Sequence, residues 1–383
     1  MKKTLFYLVL IFGFIQLYAQ KPKELAAIDE IMLQIPDSST NTTTSIANYI
    51  NQNFNSQSDK SRAVFIWVAS NIQYDIANMF AIDFYQKKDQ IISKTLRTRK
   101  GVCMHYAEVF TEIANKVGLK AYYVTGYTKQ NEFVEYISHA WCVALVDTSW
   151  CLFDPTWGSG VIFNKKFIRK INNDFYRSKP EKLIKTHMPF DPMWQLLNYP
   201  VSSEDFYEGN YNSKNKVYFN FADSIVNHEK LTETEQLIAE ANRIELNGVK
   251  NTLTFDKLYR IKKELENIKR QEINKKYNEA VTFSNEAVSL YNAFIDYRNK
   301  QFTPKKEDSE ITKMVEDVEQ SLIKALNKLN EIKNPDMQTS DHMQNLYKSI
   351  NELMEKTNEQ KEFTARYCKT SKPLRKTLFY KKN

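Results

Sequence analysis

The strongest constraint on this chain is a change of composition near residue 210. All five tryptophans lie between Trp67 and Trp194, seven of the ten prolines precede residue 201, and five of the eight glycines lie between Gly101 and Gly160. Beyond that point the sequence turns to Lys, Glu, Asn, Leu and Ile with almost no helix breakers. Clustered aromatics and turn residues suit a packed mixed domain, whereas long stretches without Pro or Gly propagate helix. The 383 residues thus divide into an α+β part and an all-α part, a length suited to two or three domains. Glycine is scarce, and neither G-x-G-x-x-G nor G-x-x-x-x-G-K-[ST] occurs, which argues against glycine-cradled nucleotide sites.

The first residues bear on the compartment. Lys2-Lys3 precede an apolar run from Leu5 to Tyr18, broken only by Gln16, and Ala19 stands before Gln20. That order reads as a secretory signal peptide over 1–19. The run is shorter than the roughly 18–20 residues a membrane-spanning helix needs. Export to the periplasm or the exterior is expected after cleavage near Ala19/Gln20, with no transmembrane span. The net charge of +8 is concentrated at the two ends, with seven Lys/Arg and no acid after Phe363. The body is close to neutral, so no nucleic-acid surface is expected. The basic tail, 371–383, is a candidate contact for an anionic envelope surface.

Periodicity sets the elements. Lys23–Gln34, Ser45–Phe54 and Lys60–Asn71 read as helices, with Ser38–Thr44 a polar loop. Cys103–Val117 reads as a helix with Tyr106, Phe110, Ile113 and Val117 as its buried stripe and Gly118 as its C-cap. Leu119–Tyr127 alternates as a strand, Thr128–Tyr136 reads as a polar loop, and Ser138–Val146 and Trp150–Phe153 form two more strands around a turn at Asp147-Thr148. The segment 211–250 reads as a helical connector. Residues 251–370 carry three helical patterns: Thr254–Gln301, Asp308–Lys333 and Ser340–Cys368. The middle one places Ile311, Val315, Val318, Leu322, Ala325, Leu329 and Ile332 on a heptad seam. Short turns at Thr303-Pro304 and Asn334-Pro335 suggest an antiparallel bundle, with the seam as its core rather than a dimer interface. The first pattern would span about 70 Å, so it either breaks near Asn274 or outruns its partners. Oligomeric state is left open.

One constellation carries chemistry. Cys103 follows Gly101-Val102 at a helix start, where unpaired backbone N–H groups and the helix dipole favour a thiolate and can stabilise an oxyanion. His139 opens the strand segment His139-Ala140-Trp141-Cys142, and Asp154 ends the next strand. A two-residue turn at Asp147-Thr148 pairs Val146 with Ser149, and that register puts Asp154 opposite Trp141, diagonal to His139 and on its face of the sheet. A carboxylate orienting an imidazole beside a thiol is the logic of a Cys-His-Asp triad. The same register puts Cys142 opposite Phe153 and Cys151 opposite Ala144, a poor geometry for a disulfide. Cys368 reads as a spare thiol. Among the other polar groups, His105 faces away from Cys103 on its helix. His187 reads as a structural part of its loop, Gln73 and Tyr74 are less favoured second oxyanion donors, and Trp141 and Trp157 read as core or groove walls.

These residues carry a resemblance. Gly101-Val102-Cys103, His139-Ala140-Trp141 and Asp154-Pro155-Thr156-Trp157-Gly158, in this order, resemble the transglutaminase-like superfamily, nearest to its kyphoscoliosis peptidase and cytokinesis-protein branch among bacterial exported members. Trp67 with Ile72-x-Tyr74-Asp75, and the run Thr186-His187-Met188-Pro189-Phe190-Asp191-Pro192-x-Trp194-Gln195-Leu196-Leu197, extend the likeness over about 25–205. The resemblance implies a papain-like α+β core over 20–210, with Cys103 as nucleophile, His139 as base and Asp154 as orienting acid. Cys142 stands where the family often has a polar residue, and Met104-His105 stand where small or polar residues are common. The implied activity is thioester chemistry on peptide or side-chain amides of a protein or peptide substrate, as a peptidase, deamidase or cross-linker. A catalytically silent module binding envelope or extracellular proteins is the alternative. No cofactor and no metal are expected, since no calcium-loop pattern occurs and no C-x-x-C spacing exists.

Overall fold

The computed structural model of the chain describes residues 23–80, 86–212 and 217–380. The expected signal peptide and its cleavage point lie outside them. The chain forms two compact units, the first ending at Lys262 and the second starting at Lys263. No helix among the described residues is long and apolar enough to cross a membrane.

The first unit opens with helices α1 (Lys23–Leu33), α2 (Thr43–Asn53) and α3 (Gln57–Asn71). Strand β1 (Gln73–Tyr74), helix α4 (Lys88–Thr98), strand β2 (Lys100–Gly101) and helix α5 (Cys103–Lys116) follow. Next come the strands β3 (Lys120–Gln130), β4 (Phe133–Val146) and β5 (Ser149–Phe153), and a small hairpin of β6 (Gly160–Phe163) and β7 (Lys166–Arg169). Helix α6 (Pro180–Leu183), strand β8 (His187–Pro189) and helices α7 (Ser203–Glu208), α8 (Phe221–His228) and α9 (Glu233–Asn247) complete it. The main sheet runs β5-β4-β3-β8, every neighbour antiparallel. This is an α+β core with the Cys103 helix packed on an antiparallel sheet.

Both faces of that sheet are covered, so β4 is apolar on both sides rather than alternating with polar residues. Ala140, Cys142, Ala144 and Val146 face α5 and α3, where Tyr106, Phe110, Ile113 and Val64 to Ala69 are buried. Trp141 and Val143 face the other way, onto Val124, Leu152, Met193, Leu196 and Ile225. Each large apolar side chain so enclosed contributes roughly 1.5–3 kcal/mol. Ile225 lies on α8, and Arg243 of α9 donates to both carboxylate oxygens of Asp191 at 2.8 and 2.7 Å. Helices α8 and α9 of the expected helical connector therefore contact the sheet domain through Ile225 and Arg243. A buried pair fastens the front helices: Arg62, fully enclosed, donates to Asp29 at 2.7 Å through both Nε and Nη2.

The register expected for β4 and β5 is the one observed, with Val146 opposite Ser149 and Cys142 opposite Phe153. The stretch Thr128–Tyr136 is not a loop. Strands β3 and β4 continue through it to a two-residue turn at Asn131-Glu132, where both φ angles are positive, 48° and 66°. Such a turn matches the twist of a hairpin. Its polar residues reflect the solvent-facing tip rather than an absence of strand. Helix α4, the β6–β7 hairpin and β8 had no counterpart in the sequence reading.

In the second unit, helix α10 (Thr252–Asn299) runs unbroken through Asn274, its residues 252–262 belonging to the first unit. Helices α11 (Asp308–Asn330) and α12 (Met337–Lys369) follow after short turns. All seven seam residues of the heptad pattern are buried. They pack within the unit, Val318, Leu322, Ala325 and Leu329 against Ala280, Ala287 and Ile350, and Ile311 and Val315 against Phe294 and Phe363. The basic tail is partly committed. Arg375 donates to both oxygens of Asp308 at 2.6 Å, and Phe379 packs on Phe302, Phe363 and Tyr367.

Candidate active site

Cys103 is the first residue of α5 and is nearly buried, 6% exposed. The chain reaches it through the short parallel pairing of Lys100-Gly101 with Gln73-Tyr74. A side chain at position 101 would collide with the His105 ring, which lies across Gly101. That ring uses Nδ1 to accept from the Val102 backbone N–H at 3.2 Å, capping the helix. Among the described residues the N–H groups of Cys103 and Met104 have no acceptor, as the first turn of a helix requires. Unpaired donors at a helix start can stabilise negative charge developing beside them.

His139 sits on β4 opposite Gly126 of β3. Its Nε2 donates to Asp154 Oδ2 at 2.8 Å, and the imidazole lines the same cavity as Cys103. Because Nε2 is taken by the carboxylate, Nδ1 is the nitrogen left for the thiol. Asp154 follows the last residue of β5 and is fully enclosed. It accepts four hydrogen bonds. Oδ1 takes the backbone N–H groups of Thr156 at 2.8 Å and Trp157 at 3.1 Å, while Oδ2 takes His139 and His187. The three residues expected together are therefore brought together.

His187 is the member the sequence placed elsewhere in function. It lies 33 residues beyond Asp154, on the three-residue strand β8, and donates from Nε2 to Asp154 Oδ2 at 3.0 Å. The Thr186 hydroxyl lies 2.8 Å from its Nδ1. Trp141, Trp157 and Phe175 surround the ring, with centroids 5.3, 4.5 and 5.9 Å away. Strand β8 approaches β3 closely at Gly126, where any side chain would meet the Met188 carbonyl and the Trp141 ring. The sequence signal was present as Gly126 and the His187-Met188-Pro189 triplet. Nothing local links that triplet to the carboxylate.

The charges follow from these contacts. Burial lowers the affinity of His139 for a proton, but the Asp154 charge and hydrogen bond override it and hold His139 above its ordinary value. Burial would raise Asp154, but His139 and His187 hold it well below the usual carboxylate range. His187 is pushed down by burial and by the charge on His139, against the pull of Asp154. The result is one imidazolium, one carboxylate and one neutral imidazole. Burial, with the nearby Cys103, raises the Tyr74 phenol, which lines the cavity and stays neutral. The ligand atoms of His139, Asp154 and His187 lie within 4.8 Å of one another, a donor set a metal could use. Each Nε2 there carries the proton a metal would have to replace.

A pH dependence follows. An unfolded histidine titrates near about 6.5 and an unfolded aspartate near about 3.9. The raised value of His139 gives stability that is full below about pH 6.5 and lost as pH rises through its folded value. The lowered value of Asp154 gives stability that is full above about pH 3.9 and lost as pH falls through its folded value. His187, lowered, costs stability as pH drops below about 6.5. The melting temperature is expected to peak between about pH 6 and 7. His187→Gln should flatten the slope on the acid side of that peak and His139→Gln the slope on the alkaline side. Melting curves across pH that leave the acid slope of His187→Gln like the parent's would contradict the assignment of the neutral imidazole.

All four cysteines are free thiols. Cys142 faces the α5 side of the sheet, near Thr111 at 3.7 Å and the Ala107 carbonyl at 3.5 Å, and burial raises its pKa. The Cys368 thiol is also raised by burial.

Comparison with known proteins finds relatives over the same part of the chain. The transglutaminase-like superfamily model matches residues 44–155. The kyphoscoliosis peptidase of Homo sapiens is 33% identical over 171 residues, 42% of this chain and 25% of that protein. The mouse protein, from Mus musculus, is 31% identical over 178 residues, 44% of this chain and 26% of its own. The chain thus spans about a quarter of the length of the curated relatives it matches. A crystal structure of a protein from Cytophaga hutchinsonii, described as a candidate cysteine protease, aligns over 37% of this chain and 46% of its own, at 21% identity and a TM-score of 0.24. Residues 44–155 thus form a transglutaminase-like domain.

Proposed function

We propose that the protein is an exported cysteine enzyme acting on peptide or side-chain amides through Cys103. The observation that carries the reading is the His139 ring bonded to Asp154 in the cavity it shares with Cys103, with two N–H groups unpaired at the start of α5. The Cys103 sulfur attacks the amide carbonyl carbon, and the oxygen gains charge facing the N–H groups of Cys103 and Met104. The Tyr74 phenol stands at the same cavity as a further donor. The C–N bond breaks as His139 gives its proton to the leaving amine, and a thioester remains. Water, losing a proton to His139, then releases the acid, or a lysine amine takes its place and forms a cross-link. Asp154 and His187 hold the imidazole in place and transfer no proton.

Iodoacetamide tests the reading. Exposure alone would favour Cys368, which is half-buried, over Cys103. An adjacent base in His139 reverses that order, since it activates the thiol as a nucleophile. Cys103 is expected to be alkylated at least about tenfold faster than Cys368 at neutral pH, read by peptide mass spectrometry, a barrier difference of roughly 1.4 kcal/mol. Equal labelling of the two in the folded protein would remove the reading and leave a binding module.

A further inference from the structure

The cavity over Cys103 has a volume of about 540 Å³. Its walls are apolar at Met79, Ile137, Val161, Ile162, Phe167 and Phe175. Glu135 is the only carboxylate among the described lining residues. It is half-buried and makes no ion pair or hydrogen bond with any described residue. A carboxylate drawn partly out of water beside apolar walls loses solvation that no neighbour returns. An incoming cation would restore it; an incoming acid would be repelled.

The geometry says where that cation would come from. Glu135, Ile137 and His139 all lie on β4 and line the cavity, with an irregular register between Val134 and Ser138. Four residues at about 3.3 Å each put Glu135 no more than roughly 13 Å from His139 along the strand. Strand β5 pairs with β4 only from Cys142 to Val146, so no described strand covers that edge of β4 beside the cavity. An extended peptide running along it rises by the same step per residue. The apolar walls suit the methylene stem of a lysine or arginine and the carboxylate suits its head.

We propose that Glu135 forms a subsite for a basic side chain of an extended peptide substrate, three to four residues from the amide that reacts at Cys103. The proposal rests on the reading of Cys103 as an amide-directed nucleophile and adds the substrate preference.

The test uses the full chain with Cys103→Ala, so that binding is read without chemistry. Fluorescein-labelled nonapeptides carry a central glutamine flanked by leucines, with Lys, Ala or Glu four residues away on both sides. By fluorescence anisotropy at low salt, the Lys peptide should bind at least about tenfold more tightly than the Glu peptide, with Ala between them. The gap should narrow at high salt, where an exposed pair is screened. Glu135→Gln should shrink it to under about twofold, and Glu135→Lys should reverse the order. Equal or undetectable binding of all three peptides, or a Lys preference that survives both substitutions, overturns the subsite. Acyl transfer fails on a different result, the iodoacetamide labelling of the parent, so the two ideas fall separately.

Discussion

Asp154→Asn is expected to slow alkylation of Cys103 by at least about tenfold, roughly 1.4 kcal/mol of barrier, and His139→Ala to slow it comparably. The carboxylate spends all its acceptor capacity: two backbone N–H groups on Oδ1 and two imidazole N–H groups on Oδ2. An asparagine keeps its oxygen on Thr156 and Trp157 but turns an NH₂ toward both histidines. Donor then faces donor unless each ring adopts the other tautomer, which would leave His139 Nδ1 facing Cys103 with a proton already on it and unable to act as base. The negative charge that holds His139 protonated is lost as well. Unlike a surface Asp-to-Asn change, this one should also cost about 1–3 kcal/mol of stability, because buried donors are left unpaired. The double variant should be no slower than the worse single one, since both residues act on one ion pair. Alkylation rates against pH for the three proteins decide this. Parent-like kinetics in Asp154→Asn beside a crippled His139→Ala would reduce Asp154 to a turn-capping residue and the site to a dyad.

The sequence carried the parts of the site that depend on local periodicity. The helix start at Cys103 and the β4–β5 hairpin need only a 3.6-residue period, a two-residue period and one turn, so the approach of His139 and Asp154 follows from local pattern. The heptad seam was legible for the same reason: seven residues at regular steps all end up enclosed. What was not legible came from long-range pairing. Strand β8 is three residues long and pairs with β3 from 59 positions away, Thr128 with His187. No pattern in a three-residue strand marks its partner. The tip of β3–β4 misled for another reason: polar residues at a solvent-facing hairpin end look the same in sequence as a loop. The open edge of β4 beside the cavity, on which the Glu135 subsite depends, was hidden by that reading.

His187→Ala is expected to cost about 3–5 kcal/mol of stability, measured by urea unfolding, and its neighbours explain why. The ring is enclosed, 1% exposed, among Trp141, Trp157 and Phe175. Truncation removes its packing and leaves a cavity in that cage, a loss of the size seen for large-to-small core changes. It also takes a donor from a fully buried carboxylate, which adds about 1–3 kcal/mol of its own if water cannot enter. His187→Phe and His187→Gln separate the two effects. Phenylalanine fills the cage but gives Asp154 nothing, so it should unfold more easily than the parent by about 1–3 kcal/mol and alkylate Cys103 several-fold more slowly. Glutamine can still present an N–H toward Asp154 and should recover much of the rate even where packing is poorer. A positioning role therefore predicts that rate follows the hydrogen bond and stability follows both. If phenylalanine alkylates as fast as the parent while alanine is merely unstable, His187 is a packing residue that happens to touch the carboxylate. The orientation of Asp154 would then rest on the backbone of Thr156 and Trp157 alone.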